Sequence, residues 1–227
     1  MHYGRKDDYV FYCDSGAFFF GDAMPLIESM GDCDVWVSGI SLIEEQWTKP
    51  EVFVRLGATD ESIRKSPLIQ GGFVLVRKSE MSTEFVSKWL ELCSRPELLM
   101  PLEPNEPKGE CIEHREDQSL LSVLCKLRGI KAHKPPCVLP KYYRLLHPKS
   151  ELKKLVKKLL GIKPPVHKWA AAKSVKVVYE DTYSPCIYLH RIRKAGSVFS
   201  VVVQALRGMG PRLAMKFIAG CVKGLLC

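Results

Sequence analysis

The stretch Gln70-Gly-Gly-Phe-Val-Leu-Val-Arg77 decides the fold. Within it, Gly72-Phe-Val-Leu-Val76 is a short apolar run rich in β-branched residues and reads as a strand. Two glycines at its entry let a ligand or another backbone come close, or else mark a bulge or tight turn. Directly after it, Glu80–Cys93 has the helical period, with Met81, Phe85, Trp89 and Leu92 along one stripe. A strand that feeds a helix is the building unit of α/β domains.

Working outward, the same alternation continues. Tyr9-Val-Phe-Tyr12 reads as a buried strand that ends in a sharp turn at Asp14-Ser15-Gly16. Asp22 suits the cap of a short helix over Ala23–Met30, and Asp34-Val-Trp-Val37 reads as another strand. Pro50 fits the first turn of a helix through Leu56, with Gly57 as its stop. Residues 95–112 hold four prolines and a glycine and read as a loop. Glu116–Arg128 is a helix with Leu120, Leu121, Leu124 and Leu127 turned inward, and Gly129 ends it. Ile130–His133, Val175–Tyr179 and Cys186–Leu189 are further strand candidates. The expected class is α/β, with a mixed Rossmann-like sheet and flanking helices.

Charge divides the chain. Residues 1–140 carry 16 Lys and Arg against 22 Asp and Glu, whereas residues 141–227 carry 18 against three. The expected organisation is an α/β core over 1–140, a basic helix with completing strands over 141–196, and amphipathic helices over 197–227. Ser150 suits the cap of a helix over Glu151–Leu160, with Leu152, Leu155, Val156, Leu159 and Leu160 on one face and four lysines on the other. The segments Ser197–Leu206 and Arg212–Leu226 are strongly apolar, and the second gathers Arg212, Lys216 and Lys223 on one side; such segments either pack on the sheet or lie on an anionic membrane surface. No apolar run is long enough to span a bilayer, and residues 1–8, which have no apolar h-region behind them, are not expected to be a secretory signal. The expected location is cytoplasmic, with peripheral attachment to membrane. Nucleic acid is the least supported partner, because aromatics are few in the basic half and no nucleic-acid motif is present.

Nine cysteines, an odd number without a Cys-x-x-Cys pair, read as reduced thiols. Cys111 and His114 have a ligand-like spacing, and Cys125, His133 and Cys137 follow. Structural zinc sites usually show two tight pairs, so buried or incidental thiols are the expected reading.

Four features carry candidate chemistry. Asp14 in Phe11-Tyr-Cys-Asp-Ser-Gly16 stands at the end of a strand, where open α/β sheets bind ligands, and a carboxylate there suits a divalent cation or a simple turn cap. Gln70-Gly71-Gly72 is the second feature. The third is His114-Arg-Glu-Asp-Gln-Ser119 at a helix start, where Asp117 and Gln118 can grip sugar hydroxyls or simply favour the helix dipole. The fourth is His190, closing Tyr188-Leu-His-Arg191.

The order and spacing of these features resemble the GT-A glycosyltransferases, especially the glycogenin-like and lipopolysaccharide galactosyltransferase-like groups. In that family a strand ends in a Tyr-x-Asp-x-Asp metal motif, like Tyr12 to Gly16 here. An Asn-x-Gly strand follows, like Gly71-Gly-Phe-Val-Leu-Val76, then a Trp-bearing helix like Glu80–Cys93, then a helix opened by an Asp-Gln pair like Asp117-Gln118. The resemblance covers residues 8–135 and, more thinly, 175–194. It implies transfer of a hexose from a nucleotide-diphosphate sugar to an acceptor hydroxyl of a glycan, with Mn²⁺ or Mg²⁺ on the diphosphate. It implies Asp117 and Gln118 as catalytic residues. Asp14, Ser15, Gln70, Gly71, Gly72, His114 and Arg115 would bind substrate, and Asp14 with His190 would hold the metal. Two departures stand out. Gly16 replaces the second motif aspartate, and the nucleotide-binding β-α-β stretch that precedes the motif in the family has no counterpart before Tyr9. The alternative is a catalytically impaired transferase fold serving as a membrane-surface or partner-binding module.

Overall fold

A computed structural model describes residues 8–138 and 171–189. Residues 8–13, 27–135 and 171–182 make one unit, and residues 14–26, 136–138 and 183–189 belong to a second. The first unit is built on a four-stranded mixed sheet in the order β1-β4-β3-β5, formed by β1 (Tyr9–Cys13), β3 (Val35–Ile43), β4 (Pro67–Arg77) and β5 (Ala132–His133). β1 and β3 run antiparallel to β4, and β3 and β5 are parallel. The second unit carries β2 (Ala17–Phe19), β6 (Cys137–Val138) and β7 (Ile187–Leu189), in the order β2-β7-β6. The architecture is mixed α/β and compatible with a Rossmann-like fold.

Helices α4 (Glu80–Cys93) and α6 (Asp117–Leu127) pack on one face of the larger sheet. Val35, Val37, Ile69 and Val74 from the strands meet Phe85, Leu92, Leu120, Leu121 and Leu124 from these helices. Each such side chain contributes roughly 1.5–3 kcal/mol on leaving water. Ser79 starts α4 with a reciprocal cap: its Oγ accepts the Ser82 N–H at 3.1 Å, and Ser82 Oγ accepts the Ser79 N–H at 3.0 Å. Asp34 joins the start of β3 to this corner, accepting from Arg77 Nε and Ser79 Oγ at 2.7 Å each. Those bonds hold its carboxyl below the usual range, the Ser79 bond most strongly.

Shorter helices complete the described chain. α1 (Met24–Met30) opens on Asp22, whose carboxylate accepts the Met24 N–H at 2.9 Å. A 3₁₀ turn at Glu44–Gln46 leads to α2 (Pro50–Leu56), which Gly57 ends at φ 69°. α3 (Glu61–Arg64) is capped by Asp60, and α5 (Pro96–Leu99) is a single turn.

Several expectations change. The run Tyr9–Tyr12 forms a strand, but Tyr9, Val10 and Tyr12 are exposed and Phe11 stacks on Phe73 at 6.4 Å. Aromatic and β-branched residues suit a half-covered strand as well as a buried one. β3 runs six residues beyond Val37, because Ser38, Gly39 and Ile40 pair with Gln70, Ile69 and Leu68 despite their mixed polarity. Met81 and Leu127 are exposed although they fall on apolar stripes; the stripe is wider than the contact. The loop at 95–112 contains α5, where Pro96 takes a first-turn position. Val175–Tyr179 is not a strand; only an isolated bridge, Leu42 to Ser174, forms beside it. The helix expected over 151–160, both C-terminal segments and His190 lie outside the described residues.

Candidate functional site

The glycine pair lies inside β4, not at its entry, and the reason is a bulge. Between the pairs Val37–Val74 and Ser38–Gln70, β3 advances one residue while β4 advances four. Gly71, Gly72 and Phe73 therefore have no partners on β3, and Phe73 pairs with Cys13 of β1 instead. β1 reaches no further along β4 than Phe73, so on that side the backbone of residues 67–72 needs other partners.

Helix α6 supplies them. Gln118 Nε2 donates to the Ile69 carbonyl at 2.9 Å, and the Ile69 N–H donates to Ser122 Oγ at 2.9 Å. The two side chains are one helical turn apart, so they take both polar groups of a single strand residue. Gly71 makes this approach feasible. A Cβ there would sit 2.9 Å from Gln118 Cβ and 3.3 Å from its Cα. Of the two readings of the glycines, close approach of another element and a bulge, both hold at once.

The start of α6 is strained. Glu116, immediately before it, has φ 52° and ψ −124°, the sole positive φ among described residues other than glycine. With the Gln118 N–H bonded to Arg115 O at 3.1 Å, this is a turn of the kind glycine prefers at its first central position. The consequence is an abrupt entry into the helix that leaves Asp117 exposed at its first residue. Trp89 Nε1 holds the backbone there by donating to Asp117 O at 3.1 Å.

Beneath α6 lies a buried polar network. Glu44, fully buried, accepts from Thr48 Oγ1 at 2.5 Å, from Ser122 Oγ and from Lys126 Nζ. Burial lowers the Lys126 pKa and the adjacent Glu44 carboxylate opposes that shift. Through Ser122, the network ties the helix that carries Asp117 to the bulged strand.

The remaining sequence-derived residues fall as follows. Gln70 is buried, its Oε1 accepting from Ser38 Oγ at 3.3 Å on the face away from α6. His114 is buried: Nε2 donates to Leu98 O at 2.8 Å and Nδ1 accepts from the Lys49 N–H at 3.4 Å, so neither ring nitrogen is left for a ligand. Burial, with Lys49 beside it, pushes its pKa down to about 4 despite the Leu98 bond, and the ring is neutral at pH 7. Arg115 lies over the Trp47 ring at 4.6 Å, within 3.7 Å of Glu113. Asp14 and Ser15 are exposed in a turn of the second unit, closed by Ala17 N–H to Asp14 O at 2.9 Å.

Among the described residues no group of three or more His, Cys, Asp or Glu side chains converges as metal ligands do. Cys33, Cys93, Cys111, Cys125 and Cys186 are free thiols, and burial pushes those of Cys93, Cys111 and Cys186 up to about 11. No helix among the described residues is long and apolar enough to cross a membrane. A cleft of about 220 Å³ lies elsewhere in the first unit, lined in part by Glu45, Phe53, Arg64 and Glu110.

Sequence reading passed over Glu116 and Ser122. Ser122 had a signal, its spacing of four from Gln118; Glu116 had none, since its strain follows from the turn it closes. The chain matches no family model, no curated protein and no solved structure.

Proposed function

We propose that this chain transfers a hexose from a nucleotide-diphosphate sugar to an acceptor hydroxyl, on a sheet of GT-A type. The observation that carries this is the meeting of Gly71 with Gln118, which sets an exposed carboxylate, Asp117, beside a glycine-bearing strand. Carboxylates and amides fixed at a helix start suit sugar hydroxyls, because each oxygen or nitrogen has a set direction. Gln118 Nε2 is committed to Ile69, so its Oε1 is the atom offered to a hydroxyl. Asp117 is the residue proposed to act on the acceptor. Asp14 and His190 are the residues proposed for Mn²⁺ or Mg²⁺; among the described residues no three or more His, Cys, Asp or Glu side chains gather as a cation site.

The test is a thermal-shift series with UDP and GDP at millimolar concentration, with and without Mn²⁺. A ligand at 100 times its Kd stabilises the native state by about 2.7 kcal/mol. A melting point unmoved by every nucleotide diphosphate counts against sugar transfer. The charge excess of residues 141–227 favours a second reading, attachment to an anionic membrane surface. Pelleting with phosphatidylserine vesicles that is lost on removal of residues 197–227 supports it, and pelleting that survives the removal refutes it.

A further inference from the structure

His133 closes β5, at the carboxyl end of the parallel pair in the larger sheet, which is where such sheets place ligand-handling groups. It pairs with Ser38 across the ladder, and Ser38 is bonded to Gln70. Val37, Ile69 and Ala132 alternate with these residues and face the core with α6, so His133 lies on the opposite face from Gln118.

Two contacts hold the imidazole. Its Nδ1 is 2.8 Å from Asp181 Oδ1. Asp181 is fixed in turn, its Oδ2 accepting the Lys134 N–H at 2.8 Å. The ring stacks on Trp36 at 5.5 Å and 17°, and Trp36 is fully buried, with Nε1 donating to Ser29 Oγ at 3.0 Å. A carboxylate at Nδ1 selects the tautomer with its proton there and leaves the lone pair on Nε2. Among the described residues no group bonds Nε2, and the side chain keeps 14% of its surface open. His114 shows the opposite case, with both nitrogens taken and the ring enclosed.

A metal ligand also needs an oriented tautomer, but it needs companions, and no cluster of ligands forms here among the described residues. We propose that His133 is the proton-accepting group of a second site, one that takes its substrate through a hydroxyl, with Asp181 as positioning residue. In the step, the Nε2 lone pair takes the hydroxyl proton and the bonding electrons stay on the substrate oxygen. The imidazolium so formed faces the Asp181 carboxylate and later returns its proton to solvent. This site is independent of the sugar-transfer reading, since it uses neither Asp117 nor Gln118.

Diethyl pyrocarbonate on the full chain, mapped residue by residue by mass spectrometry, tests it. Nε2 attacks the reagent and keeps the ethoxycarbonyl group. The Nδ1 proton passes to the ethyl carbonate released, which breaks down to ethanol and carbon dioxide. His133 is expected to react faster than free Nα-acetylhistidine at pH 7, with His114 unreactive as an internal control. Asp181→Asn is expected to slow His133 to the rate of Nα-acetylhistidine or below while His114 stays protected. A His133 rate at or below that of Nα-acetylhistidine overturns the proposal, as does an unchanged rate in Asp181→Asn. Should that variant unfold, shown by His114 becoming reactive, the rate on the native chain alone decides.

Discussion

Gln118 donates through Nε2 to the carbonyl of Ile69 at 2.9 Å, and so a helix side chain completes β4 on the side that β1 does not reach. Ser122, one turn later, accepts the N–H of the same residue. The first turn of α6 is thereby held against β4 through a bulge that glycine alone fits closely. The position of Asp117 follows from that attachment.

Gly71→Ala is expected to destabilise the fold by about 1–3 kcal/mol, the usual cost of overpacking. The nearest atom to the added methyl is Gln118 Cβ, so Gln118→Ala, which keeps that atom, should not rescue it. Urea unfolding of the two single variants and the double variant checks this; full rescue in the double variant disproves the contact.

Glu116→Gly is expected to stabilise by about 1 kcal/mol, because glycine takes φ 52° without strain and its extra freedom in the unfolded chain offsets only part of the gain. A melting point raised by a few degrees is the expected reading. A fall shows that the Glu116 side chain has a stabilising partner that outweighs the strain.

The pH dependence of stability should carry a mark of His114. Its folded pKa is about 4, below the ordinary value near 6.5, so the unfolded chain binds more protons between those limits. The stabilisation is fully present above pH 6.5 and is lost as pH falls toward 4, by about 3 kcal/mol at most. His114→Asn should lower stability at pH 7 and flatten the slope between pH 6.5 and 4.5. An unchanged slope shows that other groups control it.

Lys126→Met removes the cation from fully buried Glu44 while Thr48 and Ser122 still donate to it. Breaking a buried pair from one side costs about 3–5 kcal/mol. Chemical denaturation should show a loss near the lower figure, since those two hydroxyls remain. Glu44→Gln in the Lys126→Met background should recover part of it by removing the unpaired charge. No recovery means that the ion pair is not what stabilises this corner.

What the chain alone determined were the elements whose signals are local. The helix over Glu80–Cys93 follows from its apolar period, and the helix from Pro50 to Gly57 from a first-turn proline and a left-handed glycine, signals that act within a few turns. The Asp117-Gln118 helix start and the glycines of β4 were legible for the same reason. Tertiary structure decided what depends on residues far apart in sequence. It put β1 antiparallel on β4, turned Tyr9 and Tyr12 outward, and took up both nitrogens of His114. It also joined His133 to Asp181 across 48 positions, a partnership that no periodicity or spacing encodes. Local propensity reports the conformation a few residues prefer. Which face is covered, and which polar atoms find partners, is settled only when distant segments exclude water together.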